Sequence, residues 1–291
     1  MFTLEISASR HAFGGNRIPT ESVQMFDSQE CELVGSSPAM ATLRQEIAVA
    51  AQSNAKVLIT GESGVGKDMV ARGLHQRGGR RSRPFRAISC SSVPDSLLES
   101  ELFGHLRGSF TGAIRDHRGV FESAHRGTVV LDEISDSSAR MQSLLLRFLQ
   151  FGELQRIGEY GSTRHVDVRV VATTRRDLIE QVSAGEFRLD LYYRLNVIRI
   201  HVPPLRDRVE DIPELLDHFA TRFSEHYQMP CPVIDRDAMA WLTGYRWPGN
   251  VRELRNIVER FVITGKAGGL DPAWLADKVP VRSSMGSYAS L

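Results

Sequence analysis

Residues Gly61-Glu62-Ser63-Gly64-Val65-Gly66-Lys67-Asp68 follow the apolar run Val57-Leu58-Ile59-Thr60 and open a helical stretch. Glycines here let the backbone wrap a phosphate with its N–H groups turned inward, and the helix N-terminus adds the positive end of its dipole. Lys67 is then placed to neutralise β and γ phosphate oxygens. A Gly-x4-Gly-Lys string is expected by chance about 0.03 times in such a chain, before the flanking strand and helix are required. The eighth position is Asp68, where Ser or Thr usually meets Mg²⁺. Its carboxylate suits the metal or its waters, and equally suits a cap on the helix N-terminus; both readings stand. Residues 61–68 are the expected phosphate-binding residues.

Working outward, Asp132-Glu133 stands 65 residues after Lys67, at the end of the apolar run Thr128-Val129-Val130-Leu131. Two carboxylates delivered by a buried strand match the second half of a nucleotide-hydrolase site. Asp132 would orient Mg²⁺ and Glu133 would polarise the attacking water. Alone, Asp-Glu after an apolar run often marks only a strand end. Beside a phosphate loop it carries more.

The runs Val57 to Thr60, Phe85 to Cys90, Val129 to Leu131, Val168 to Thr173 and Val197 to Val202 read as strands. Between them lie helical patterns, the clearest being Met141, Leu144, Leu145, Phe148 and Leu149. Strands alternating with helices predict an α/β core with a parallel sheet covered on both faces. After Pro203-Pro204 only helical spacing follows, at Ile212, Leu215, Leu216 and Phe219, at Ala238, Trp241 and Leu242, and from Val251 to Val262. The expected organisation is a leader over 1–30, an α/β core over 31–203, a helical lid over 204–268 and a tail over 269–291.

Composition narrows the function classes. Lys+Arg is 36 against Asp+Glu 35, a net charge of +1, which argues against a nucleic-acid coat or an acidic tail. No apolar stretch approaches membrane-helix length, and the first 29 residues lack a signal-peptide layout. Cys31, Cys90 and Cys231 fit neither a disulfide framework nor a zinc site, so a reducing cytoplasm is the expected compartment. Only four of the basic residues are lysines, and Lys67 is one of them. The arginine-rich stretch from Arg77 to Arg86 contains one aromatic residue, Phe85, rather than the series that stacks single-stranded nucleic acid, and reads as a solvated loop.

Several blocks together resemble one family. GESGVGKD at 61–68, ESELFGHLRGSFTGA at 99–113, VVLDEI at 129–134, FRLDLYYRLNV at 187–197 and RWPGNVRELRN at 246–256 look like the AAA+ ATPase domain of bacterial enhancer-binding proteins, the activators of sigma-54 RNA polymerase. The resemblance runs from about Leu33 to Thr264. It implies an AAA+ P-loop core with a helical lid, ATP and Mg²⁺ as cofactors, self-association into a ring such as a hexamer, and sigma-54 RNA polymerase as partner.

Residue by residue, the resemblance makes Glu133 the catalytic carboxylate. It makes Arg188 and Arg194 the arginines that reach a neighbouring subunit's nucleotide, and Arg252 the lid arginine on the phosphates. From the residues alone, Arg188 and Arg194 also suit ion pairs with Asp190 or Glu186, and Arg252 a pair with Glu259. Gly108-Ser109-Phe110-Thr111-Gly112-Ala113 becomes the loop that grips sigma-54; a large aromatic between glycines suits a partner contact, or tucks back into its own domain. The chain departs from the family at Ser89, where an asparagine linking nucleotide state to the glutamate is usual, and at Ala172-Thr173-Thr174, where Ala-Thr-Asn is usual. Ser89 and Thr174 are therefore the candidate sensors, with shorter reach than an amide.

Three readings follow: an ATP-hydrolysing activator that remodels sigma-54 RNA polymerase, a weakly hydrolysing regulatory or co-assembling partner of a complete activator, or an AAA+ remodeller of another protein target. The 27 residues after Thr264 leave no expected room for a helix-turn-helix, so intrinsic sequence-specific DNA binding is not expected.

Overall fold

The computed structural model describes residues 33–91 and 94–264. Helix α1 (Pro38–Ala51) leads to strand β1 (Val57–Thr60), then α2 (Lys67–Arg77) and β2 (Phe85–Ser89). Helix α3 (Asp95–Phe103) runs into a short hairpin, β3 (Gly104–His105) and β4 (His117–Arg118), followed by α4 (Val120–Ser123) and β5 (Thr128–Asp132). Helix α5 (Ala139–Phe151) precedes a second hairpin, β6 (Glu153–Leu154) and β7 (Arg164–His165). Strand β8 (Arg169–Thr174), helices α6 (Leu178–Ser183) and α7 (Leu189–Leu195) and strand β9 (Ile198–His201) complete the core. Helices α8 (Ile212–Tyr227), α9 (Arg236–Gly244) and α10 (Asn250–Thr264) follow.

Five strands form one parallel sheet in the order β2-β5-β8-β1-β9. Parallel pairing needs long crossovers, and the helices between successive strands supply them while covering both faces. The expected α/β architecture is the observed one. Alternate residues of each strand go to opposite faces. Val57, Ile59, Val130, Val171 and Ile200 pack against Met40, Leu43 and Ile47 of α1 and Val70 and Leu74 of α2. Leu58, Val129, Leu131, Val170 and Ala172 pack on the other side with Leu98 and Leu102 of α3, Met141, Leu145 and Phe148 of α5, and Leu191 of α7.

The stripe read at 141–149 is the inward face of α5, with Leu144 only half-buried at its margin. Ser138 caps this helix by accepting from the Met141 amide at 3.2 Å. Gly152 ends it at φ +68°, where a Cβ would meet the His165 ring at 2.7 Å.

Two single-turn helices, Leu205–Asp207 and Val209–Asp211, lead out of the core into the helical unit. Trp247, Leu216, Leu242 and Leu254 are fully buried at the centre of that unit, and the Trp247 indole donates to the Leu242 carbonyl at 2.8 Å. The leader expected at 1–30, the tail expected at 269–291 and Cys31 lie outside the described residues. Among the described residues no helix is long and apolar enough to cross a membrane.

The two hairpins were not foreseen, because strands of two residues show no alternation. They stand side by side: the Leu106 amide donates to the Ile157 carbonyl at 3.0 Å, and the Ile157 amide to Gly104 at 2.9 Å. The loop Gly108–Ala113 is the tip of the first hairpin.

Candidate nucleotide site

Strand β1 lies inside the sheet between β8 and the edge strand β9, which are reached by different crossovers, so its C-terminal end opens a crevice of the kind that holds ligands in open α/β sheets. Residues 61–66 turn there, with Gly61, Gly64 and Gly66 all at positive φ (+152°, +78° and +103°). A Cβ at Gly64 would lie 2.3 Å from the Gly249 carbonyl of the helical unit. The turn therefore owes its glycine both to its own curvature and to the close approach of the lid.

A cleft of about 630 Å³ lies between core and lid. Ser63, Gly64, Val65, Gly66, Lys67, Asp68, Asp132 and Glu133 line its core side, and Leu215, Phe219, Val251 and Arg252 its lid side. The size suits a small-molecule or cofactor ligand. Leu33, Val34 and Met40 add apolar side chains to the lining, and Arg72, Arg208, Arg222 and Arg255 join Lys67 and Arg252 in giving it basic walls. A cleft lined by both apolar and basic groups fits a ligand that carries a ring system and anionic groups.

Lys67 begins α2 and is 6% exposed. Its Nζ donates to the carbonyls of Gly61 at 2.9 Å and Glu62 at 3.2 Å, and lies 3.1 Å from Glu133 Oε1. Glu133 follows β5 at φ +51°, a left-handed backbone unusual for a side-chain-bearing residue, which turns the carboxylate into the cleft. Its Oε2 accepts from the Arg175 amide at 3.0 Å. Asp68 faces the cleft, yet the dense protein around it raises its pKa; Asp132 adds to the rise, and Arg252, Lys67 and Arg72 oppose it.

The two candidate sensors lie near the carboxylates but turn to other partners. Ser89 Oγ is 3.1 Å from Ser91 Oγ. Thr174 donates to the Arg176 carbonyl at 3.0 Å and accepts from the Arg176 amide at 3.1 Å. Its neighbour Thr173, not singled out in the sequence, touches both acidic residues. It donates to Asp132 Oδ1 at 2.5 Å and accepts from the Glu133 amide at 3.1 Å. A strand places alternate residues on opposite faces, so a one-residue difference in register decides which threonine meets the site.

The lid joins the phosphate loop through contacts that the sequence only partly announces. Arg252 Nη1 donates to Ser63 Oγ at 3.0 Å, rather than to a glutamate of its own helix. Asn250 is fully buried at φ +52°. It donates to Glu62 Oε2 and the Ser63 carbonyl, both at 3.0 Å, and accepts from the Leu205 amide at 2.8 Å. Arg206 forks onto Glu62 at 2.6 and 2.9 Å, and its hydrogen bond is the main reason the Glu62 pKa is lowered. The Gly-Asn-Val-Arg string was the available signal for Asn250, but its role depends on contacts some 188 residues apart.

Arg188 and Arg194 are exposed and do not line the cleft of their own chain. Arg188 forks onto Asp190 at 3.0 and 2.8 Å, the ion pair weighed above. Arg194 donates to the carbonyls of Leu149 and Gln150, each at 3.1 Å, at the C-terminal end of α5.

The loop Gly108-Ser109-Phe110-Thr111-Gly112-Ala113 is folded on itself, the Gly108 amide donating to Ala113 at 2.8 Å and the Ala113 amide to Phe110 at 3.0 Å. Ala113 is buried and Thr111 exposed. Phe110 does both things considered for it: its ring meets the His105 ring edge-on at 4.9 Å, and 45% of the residue stays exposed.

A family model described as the Sigma-54 interaction domain matches residues 33–201, and one described as an AAA+ ATPase lid domain matches residues 206–287. The transcriptional regulatory protein ZraR of Salmonella typhimurium is 49% identical over 261 residues, 90% of this chain and 58% of that protein. The chain thus spans little more than half the length of that relative. Crystal structures of NtrX from Brucella abortus are also similar. The complex with ADP has a TM-score of 0.79 at 37% identity, covering 87% of this chain and 56% of that one. The complex with ATP has a TM-score of 0.75 at 39% identity, covering 80% and 53%.

Proposed function

The chain belongs to the sigma-54 interaction family of AAA+ ATPase domains, and from that premise we propose that it hydrolyses ATP to drive transcription initiation by sigma-54 RNA polymerase. The observation that carries the reading is Lys67, held between the Gly61 and Glu62 carbonyls and the Glu133 carboxylate in a cleft shared by core and lid. A triphosphate entering that cleft offers Lys67 a better anionic partner and releases Glu133. In this reading residues 31–203 act as the ATPase core and 204–268 as its lid.

Roles follow from the chemistry of each group. The turn at 61–66 and Lys67 bind phosphate, and Arg252 contacts it from the lid. Glu133 takes a proton from the attacking water. Asp132, with Asp68 in support, presents the carboxylate oxygens that a Mg²⁺ ion prefers; the ion supplies charge neutralisation of the β and γ phosphates when bound. Arg188 and Arg194, turned away from their own cleft, serve the nucleotide of the next subunit in a ring of six, as arginine fingers do. The Phe110–Thr111 tip grips the sigma factor, its half-covered aromatic ring providing apolar area at a loop apex.

A second reading keeps nucleotide binding with slow hydrolysis, as a regulatory partner of a complete activator. The hydrogen bonds of Ser89 and Thr174 to partners other than Glu133 favour it. Steady-state turnover separates the two. The activator reading expects turnover in the wild type and its loss, by at least about 100-fold, in Glu133→Gln with nucleotide affinity retained. It also expects a stable complex with sigma-54 in the presence of a γ-phosphate transition-state mimic. Unchanged turnover in Glu133→Gln would overturn the assignment of the base. No trapped complex would overturn the choice of target.

A further inference from the structure

The arginines that read as a solvated loop in the sequence stand, in the fold, at the end of the sheet opposite the nucleotide cleft. The sheet is parallel, so the cleft gathers loops that follow the strands and this end gathers loops that precede them. The loops before β1, β2, β5 and β8 span 52–56, 78–84, 124–127 and 166–168. They contribute Lys56, Arg80, Arg81, Arg83 and Arg126 against one acid, Asp167, although the whole chain is almost neutral at +1. Arg77, the last residue of α2, adds to them.

One arginine builds this surface and others face solvent from it. Arg80 staples the four loops together, donating to Asn54 Oδ1 at 2.9 Å, the Gly127 carbonyl at 3.2 Å and Asp167 Oδ1 at 2.8 Å. The Arg83 amide donates to the Arg80 carbonyl at 2.9 Å, the Thr128 amide to Pro84 at 2.9 Å and the Arg126 amide to Asp167 at 2.6 Å. Arg80 thus takes up the local acid. Arg77, Arg81, Arg83 and Arg126 are exposed, and none of them has an acidic partner among the described residues. Behind them Arg169 is buried and donates to the carbonyls of Ala50 at 2.7 Å and Ala55 at 3.4 Å. Its pKa is lowered, first by burial and then by repulsion from Arg80. Like charges held together on a fixed backbone raise the local positive potential, which an arriving anion relieves.

The chemistry of the surface selects the anion. The four loops expose no large apolar side chain, whereas a protein interface is built around an apolar or aromatic core. Phe85 lies against the His75 ring at 5.1 Å with the Arg72 guanidinium over its face at 5.1 Å, so it is not free to stack on an unpaired base. Guanidinium forks without apolar or stacking companions suit the phosphate oxygens of a duplex. We propose that this end of the sheet binds the phosphate backbone of double-stranded DNA, independently of base sequence. The surface is separate from the nucleotide cleft, and DNA binding by it does not depend on hydrolysis.

The test is the fluorescence anisotropy of a labelled DNA duplex of about 25 base pairs and arbitrary sequence, titrated with the full chain at about 50 to 200 mM NaCl. The wild type is expected to bind with a Kd of about 10⁻⁴–10⁻⁶ M, and log K to fall against log salt with a slope of about −3 or steeper. Arg81→Gln/Arg83→Gln/Arg126→Gln should flatten that slope by about 2 to 3 and weaken binding at least about 10-fold at the lowest salt. Arg236→Gln/Arg246→Gln/Arg260→Gln removes as much charge from exposed positions beyond the core and should stay within about twofold of wild type. Arg81→Gln and Arg126→Gln alone should each flatten the slope by about 1, and they replace the triple variant if it does not fold. Absence of salt-dependent binding by the wild type, or equal loss in the two triple variants, overturns the proposal. Tighter binding to a single strand of equal length overturns the choice of duplex, and tighter binding to polyglutamate assigns the surface to an acidic protein instead. ATP turnover of the Arg81, Arg83 and Arg126 variant should stay within about twofold of wild type. A wild type that binds the duplex without hydrolysing ATP overturns the ATPase reading alone.

Discussion

At Asp68 the fold holds a carboxylate against its own preference. Its pKa is raised by crowding and by Asp132, so the folded chain binds this proton more tightly than the unfolded chain does. For such an acid, stability is greatest when it is protonated and is lost as the pH rises through the raised pKa. Asp68→Asn should therefore raise the thermal midpoint of the nucleotide-free protein at pH 7. The gain should vanish below about pH 4, where the aspartate is protonated in both states. A melting series across that range checks it, and an equal gain at all pH values would remove charge as the cause. The phosphate loop and Asp132-Glu133 were legible in sequence because each is a local string with local geometry. Thr173 was not, because which of two adjacent threonines meets a carboxylate depends on the pairing of β8 with β5.

Among the elements, the two hairpins share a clasp that strand patterning does not reveal. Glu122 of α4 accepts from Arg156 at 2.7 Å, and Arg164 lies at 3.4 Å and Arg118 at 3.8 Å from the same carboxylate group. Arg164 also pairs with Glu159 at 2.9 Å. Exposed pairs contribute about 0–1 kcal/mol, whereas stranding one partner of a buried pair costs about 3–5 kcal/mol. Arg156 is 8% exposed, so removing its main anion falls between these limits. Glu122→Ala should cost about 2 kcal/mol. It should speed amide exchange in residues 104–118 and 153–165 together while leaving the parallel sheet protected. Faster exchange in one hairpin alone would show that the clasp does not join them. The element types of the sheet and lid were readable, since buried parallel strands and amphipathic helices have distinct periods. Two-residue strands carry no period.

At the scale of the whole molecule, the lid closes on the phosphate loop through Asn250, Arg252 and the Arg206–Glu62 fork, and on the start of α1 through Asp211. The Asp211 carboxylate is completely buried and accepts from the Ser37 amide at 2.7 Å and the Ser37 hydroxyl at 2.8 Å. The finger role proposed for Arg194 makes a prediction at this scale. Lys67→Ala and Arg194→Ala should each be inactive alone. Mixed in equal amounts they should recover turnover, because an intact phosphate loop from one variant can meet an intact Arg194 from the other. Random assembly in a ring makes about a quarter of the sites complete. No recovery, with rings of mixed composition demonstrated, would mean that Arg194 serves only the end of α5. By itself the sequence determined the parallel α/β core, the helical unit after Pro203-Pro204 and the phosphate loop with its two carboxylates, because periodicity and short motifs are local consequences of backbone geometry. The tertiary structure alone decided that Arg252 meets Ser63, that Glu62 anchors the lid, and that Thr173 rather than Thr174 faces the carboxylates. Those contacts join residues far apart in the chain, and only strand register and lid docking bring their atoms within hydrogen-bonding reach.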